Sequence, residues 1–241
     1  MGLIPHREII DKFIKENINL KDVEAILLVG SYAVGNNNEY SDIDIYIILK
    51  EKIKYRERGN LLIDNYLIEY FMNPIPKVEE YLKKDKRGHG GSMANMLING
   101  KLIYGNKEII RKLRRKAHYY LNKKNKKDNQ YYYHAWDMYD DYKACKYHKK
   151  MPYYNALQAI IEAYLYNNDY LLLPPQKIER VFKDEEYRKN YKINKFPNNY
   201  FNKLVINCFD NPNEKNIENL YNYVMEDGNF NINKFKLKSK L

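Results

Sequence analysis

The chain has 241 residues, of which 44% are hydrophobic and 30% charged, enough for a sizeable core in one large domain or two small ones. Its two cysteines, Cys145 and Cys208, form neither a metal-ligand spacing nor a disulfide framework, no apolar run approaches a membrane span, and Met1–Lys15 lacks the long apolar stretch of a signal peptide. A disulfide scaffold and a helical membrane protein are thereby excluded, and the expectation is a soluble, cytoplasmic chain.

Charge is unevenly spread. Residues 1–105 carry as many acidic as basic side chains, so the net charge of +11 lies wholly in residues 106–241. A basic half suits polyphosphate or nucleic acid, and suits a plain solvated surface better in the absence of a nucleic-acid motif.

In chain order, residues 5–16 read as an amphipathic helix with Ile9, Ile10, Phe13 and Ile14 on one side. Val23–Val29 reads as a buried strand ending at Gly30, and Ser31–Gly35 as room for one short helix before the turn Asn36-Asn37-Asn38. Ile43–Leu49 is a β-branched strand. Leu61–Ile63 and Tyr66–Met72 flank Asp64-Asn65 as a hairpin. Pro76 starts a helix to about Lys84, Gly88–Gly91 is a break, and Met93–Ile98 is helical up to Asn99-Gly100. Beyond Gly105 the strand pattern stops. Helices are expected at about 107–122, 131–149, 153–170, 176–190, 198–208 and 214–226. The fold class expected is an α/β (α+β) domain with a small mixed sheet over residues 1–105, followed by an all-α domain over 106–241.

The chemistry is concentrated in one stretch. Gly30 ends a strand and lacks a Cβ, so a phosphate can approach its backbone. Ser31 adds a hydroxyl and an amide, and a helix starting there would turn its free N–H groups toward the same anion. No Gly-Lys-Ser/Thr follows, so this is not a Walker-type loop. Asp42 and Asp44 alternate with Ile43 and Ile45, which puts both carboxylates on one strand face and both isoleucines in the core. Two hard oxygen ligands on a rigid element suit Mg2+, and two such ions about 3.5–4 Å apart can serve an attacking and a leaving oxygen. A third carboxylate is expected on a neighbouring strand. Glu69, within Leu67-Ile68-Glu69-Tyr70-Phe71, is the best candidate, because a charge in so apolar a segment is costly unless it coordinates something. Asp64 is the runner-up and looks like a turn residue.

Gly30-Ser31, then Gly35, then Ser41-Asp42-Ile43-Asp44-Ile45 resembles the signature of the DNA polymerase β-like nucleotidyltransferase superfamily. The resemblance covers about residues 23–72. It implies a small mixed sheet, metal binding by Asp42 and Asp44 with Glu69 as third ligand, and triphosphate binding by Gly30 and Ser31. The strand-rich half before a helical half resembles the antibiotic nucleotidyltransferases, of kanamycin and lincosamide type. There the helical domain binds the acceptor and supplies the base that takes the hydroxyl proton.

For that base, Asp137, Asp140 and Asp141 share a helix with Trp136, and Asp137 and Asp141 share its face. Asp141 is the choice and Glu162 the alternative. Lys143 and Lys146 could bind phosphate, whereas His89 reads as a loop residue and Lys177 as surface charge.

The expected reaction is Mg2+-dependent transfer of a nucleoside monophosphate, AMP from ATP by analogy, to a hydroxyl of a small-molecule acceptor such as an antibiotic. Two rivals stand beside it: transfer to RNA or to a protein side chain, and a non-catalytic nucleotide-binding relic. No membrane partner is expected, and a homodimer could complete the acceptor site.

Overall fold

A computed structural model describes residues 6–85, 92–124 and 126–236. The Gly88–Gly91 break and His89 lie outside them.

Helix α1 (Arg7–Asn17) buries Ile10, Phe13 and Ile14, the stripe its periodicity requires. Strand β1 (Val23–Leu28) leads into the short helix α2 (Gly30–Val34), then β2 (Ile43–Leu49), β3 (Glu57–Ile63) and β4 (Tyr66–Pro74). The β3–β4 turn holds Asp64 and Asn65 at φ 48° and 66°, two consecutive left-handed residues of the kind a tight hairpin selects. Helices α3 (Ile75–Asp85) and α4 (Ser92–Asn99) follow, then β5 (Lys101–Gly105) and α5 (Lys107–Asn122).

The five strands lie in the order β3-β4-β2-β1-β5. Only β2 and β4 run parallel; the other neighbours are antiparallel, so the sheet is mixed as expected. Alternate residues feed two layers. Ile26, Leu28, Ile43, Ile45, Ile47 and Ile68 pack with α1 on one face. Ala25, Leu27, Tyr46 and Ile48 pack on the other with Val78 and Leu82 of α3, Leu97 of α4, and Ile110 and Leu113 of α5.

Three features depart from the sequence expectation. Strand β5 was not anticipated; it is a short edge strand whose residues are half-buried or exposed, so it shows no clean alternation. Strand β3 begins four residues earlier than the apolar Leu61–Ile63, because its first half is polar and faces solvent. The stretch expected as one helix over 176–190 is two, α8 (Pro175–Lys183) and α9 (Glu185–Asn190). Asp184 between them accepts a hydrogen bond from the Tyr187 amide, as an N-cap does, and so starts a new helix.

The chain divides into two compact units, Met1–Lys123 with Lys189–Lys192, and Lys124–Arg188 with Ile193–Leu241. Helix α5 therefore belongs with the sheet, although the loss of strand pattern placed the boundary near residue 105. Its Ile110, Leu113 and Ala117 complete the sheet's apolar cover, which strand periodicity alone could not reveal.

The second unit contains α6 (Asn129–Ala144), α7 (Lys150–Asn167), α8, α10 (Asn199–Asp210) and α11 (Glu214–Asp227). Its interior is built from tyrosines. Tyr164 stacks on Phe201 at 3.8 Å, Tyr139 on Tyr221 at 4.1 Å and Tyr131 on Tyr166 at 4.0 Å. Buried hydroxyls need partners: Tyr153 Oη donates to the Cys208 carbonyl at 2.9 Å. No described helix is long and apolar enough to cross a membrane.

Candidate active site

Two turns, one after β1 and one before β2, and the strands β2 and β4 deliver the site. The Val29 amide donates to the Asp44 carbonyl at 2.9 Å, which ties the end of β1 to the start of β2. Gly30 follows at φ +64°. A Cβ there would penetrate Asp44 Oδ2 and lie 2.7 Å from Asp44 Cγ. Glycine is thus required twice, by the left-handed backbone and by the carboxylate pressed against it. The sequence suggested that the bare Cα makes room for a phosphate; in the structure the space belongs to Asp44.

Helix α2 is one turn long and ends at Gly35 in a left-handed cap, whose amide donates to the Ser31 carbonyl. Ser31 is half-buried in that turn. The chain then reverses at Asn38, where the Asn38 amide donates to Ser41 Oγ at 2.9 Å and the Tyr40 amide to Asn38 Oδ1 at 2.9 Å. That turn delivers Asp42 one residue ahead of β2.

Asp44 lies directly opposite Glu69 in the parallel β2–β4 register. One carboxylate oxygen from each of Asp42, Asp44 and Glu69 falls within 4.8 Å of the others, and all three residues are half-buried. Three anions this close repel one another by about 3.5 kcal/mol per pair at an effective dielectric constant of 20. Arg58 Nη2 on β3 reaches Glu69 Oε1 at 2.6 Å, with its guanidinium carbon 4.8 Å from the Phe71 ring centroid. The three carboxylates form an oxygen donor set on and beside the paired strands β2 and β4. Those donors fit a hard divalent cation.

The other acids named from the sequence are not part of this cluster. Asp64 sits in the hairpin turn and pairs with Lys12 at 2.9 Å, so it is a turn residue and not a ligand. Asp141 is exposed on α6, Asp137 is half-buried, and Glu162 is on α7, all in the second unit. Glu162 was expected at the edge of an apolar stripe; only 7% exposed, it accepts a hydrogen bond from Gln158 at 2.8 Å. Lys143 lies 5.1 Å from the Tyr139 ring centroid, and Lys146 is exposed.

Arg58 was missed by the sequence reading. Its signal was available, since a β3 residue two places from the partner of Glu69 shares that face. Arg56 was missed as well, and it donates to Tyr81 Oη at 2.9 Å. Both arginines line a cavity of about 630 Å3 with Tyr46, Phe71, Tyr81 and Met96, among others. A second cavity, of about 620 Å3, lies beside Asp42 and Ser41 and is walled by His6, Tyr32 and Tyr66.

Residues 8–156 match the family model described as "Nucleotidyltransferase domain". No curated protein matches the sequence. Among solved structures, a nucleotidyltransferase-like protein from Exiguobacterium sibiricum 255-15 is similar at 8% identity, over 92% of this chain and 73% of that one, with a TM-score of 0.44.

Proposed function

Because the chain belongs to the nucleotidyltransferase domain family, we propose that it transfers a nucleoside monophosphate, AMP from ATP, to a hydroxyl of a small-molecule acceptor, with Mg2+ as cofactor. The observation that carries this reading is the convergence of Asp42, Asp44 and Glu69 beside Gly30, at the point where β1, β2 and β4 meet.

Asp42, Asp44 and Glu69 would hold Mg2+, in two ions. When bound, Mg2+ neutralises phosphate charge and makes the attacking oxygen a better nucleophile. The chain's own residues do the rest. The amides at Gly30 and Ser31 bind the triphosphate. Arg58 holds the Glu69 carboxylate in place. The acceptor oxygen forms a bond to the α-phosphorus, the bond from that phosphorus to the bridging oxygen breaks, and pyrophosphate leaves. The hydroxyl proton passes to a carboxylate, which we assign to Asp141 with Glu162 as the alternative. In this scheme the sheet unit is catalytic, and the helical unit supplies the base and further acceptor contacts.

Transfer to RNA is a second reading, favoured by the positive charge of residues 106–241. An antibiotic is one member of the small-molecule class. The deciding experiment follows pyrophosphate release from ATP and Mg2+ with aminoglycosides, lincosamides and total tRNA as acceptors. Acceptor-dependent release that Asp141→Asn abolishes, with ATP still bound, supports the scheme. Normal turnover in Asp141→Asn removes that residue's role, and absence of binding for all four nucleoside triphosphates leaves only a relic domain.

A further inference from the structure

The order of groups across the sheet gives the reaction a direction. Gly30 follows β1, Asp44 is on β2, Glu69 on β4 and Arg58 on β3, and these strands are neighbours in that sequence. In an in-line displacement the leaving and attacking oxygens lie on opposite sides of the phosphorus. With the triphosphate on the Gly30 side, an acceptor on the β4–β3 side would lie opposite the leaving group. The cavity of about 630 Å3 opens there, and its wall meets the carboxylate cluster through the Arg58–Glu69 ion pair. Tyr46 and Phe71 line it from the same sheet face as Asp44 and Glu69, two residues further along each strand.

The charges lining the cavity are unequal. Lys84 pairs with Glu80 at 2.7 Å, and Arg58 with Glu69. Asp85 accepts from the Ala94 amide at 2.6 Å, which commits it to capping α4. Glu57 accepts from the Tyr70 hydroxyl at 2.6 Å, and Tyr70 belongs to the opposite, α1-facing layer. Arg56 has as its partner among the described residues the neutral Tyr81 hydroxyl. A guanidinium so placed favours an anion, and best a phosphate that takes two of its N–H groups. Tyr46 and Met93 are buried in the cavity floor, and the half-buried rings of Phe71 and Tyr81 with the thioether of Met96 offer an apolar surface beside it. A polycation would be placed against Arg56, Arg58 and Lys84.

We propose that this cavity is the acceptor subsite and that the acceptor is a nucleotide, with its phosphate on Arg56 and its base against Phe71 and Tyr81. The inference rests on the reaction proposed above and narrows its acceptor to a phosphate ester bearing a planar ring, free or at the end of an RNA.

The test uses the full chain saturated with Mg2+ and the non-cleavable α,β-methylene analogue of ATP, and the same chain without them. AMP, a short RNA with a free 3′ hydroxyl, and kanamycin are titrated in separately by calorimetry at low salt. AMP or the RNA should bind in both states. Arg56→Glu should weaken that binding about ten-fold or more, and Arg56→Lys, which keeps the charge but not the fork, should recover part of it. Binding of the analogue should change less than about two-fold. Tighter AMP identifies a free nucleotide as the acceptor, and tighter RNA identifies a strand end. AMP and RNA binding that ignores Arg56→Glu overturns the assignment, as does kanamycin binding that Arg56→Glu strengthens. A chain that fails to bind the analogue, yet binds AMP in an Arg56-dependent way, keeps the subsite and removes the reaction reading instead.

Discussion

Replacing Gly30 by alanine separates the two demands on that residue. At φ +64° an L side chain costs about 1–2 kcal/mol. The new methyl would also overlap Asp44 Oδ2, so the carboxylate must retreat by roughly an ångström. The first effect should lower the melting temperature by about 2–8 °C, taking about 2–4 °C per kcal/mol for a chain of this size. The second should be larger in function than in stability, because a displacement of about 1 Å at a reacting centre costs on the order of a hundred-fold. Manganese titration followed by electron paramagnetic resonance reads the metal site without needing an acceptor, and scanning calorimetry reads the fold. In the Gly30→Ala/Asp44→Ala pair the overlap with the carboxylate is gone and only the Asp44 Cβ at 3.1 Å remains close, so alanine at position 30 should then cost little beyond the backbone share. A Gly30→Ala protein with wild-type manganese affinity and an unchanged melting temperature would refute the packing of Asp44 against the turn.

Asp85 should make stability depend on pH. Burial pushes its carboxyl up from 3.8 to about 6, so the folded state holds this proton more tightly than the unfolded one. Its contribution is full below about pH 3.8 and is lost as pH rises through about 6; Asp85→Asn should therefore lose less stability than wild type between pH 4 and 7, and equal losses would contradict the assignment. Asn106 caps α5 by accepting from the Glu108 and Ile109 amides and donates to Glu24 at 2.9 Å. Asn106→Ala should cost about 1 kcal/mol in denaturant unfolding, and a wild-type midpoint would show that the cap is dispensable.

Much of the sheet unit could be read in the sequence because its signals are local. Ile43–Leu49 is a β-branched run buried on both faces, Asp64-Asn65 is a turn by composition, and the stripe of α1 is plain. Glu69 was legible for an energetic reason, as a charge in an apolar strand with no local partner. What could not be read was pairwise. The contact between Gly30 and Asp44 spans fourteen positions and depends on the β1–β2 register. Arg58 reaches Glu69 only because β3 and β4 are antiparallel neighbours. Helix α5 looked like the helices after it, since amphipathicity says that a face is buried but not against what.

The central claim is that Asp42, Asp44 and Glu69 form one metal–triphosphate site, and its most direct measurement is calorimetric titration of the α,β-methylene analogue of ATP with and without Mg2+. The wild-type chain should bind the analogue only when Mg2+ is present, and Asp42→Asn/Asp44→Asn should lose that dependence while its circular dichroism stays unchanged. Equal binding by the wild type with and without Mg2+, or Mg2+-dependent binding that survives both substitutions, would contradict it.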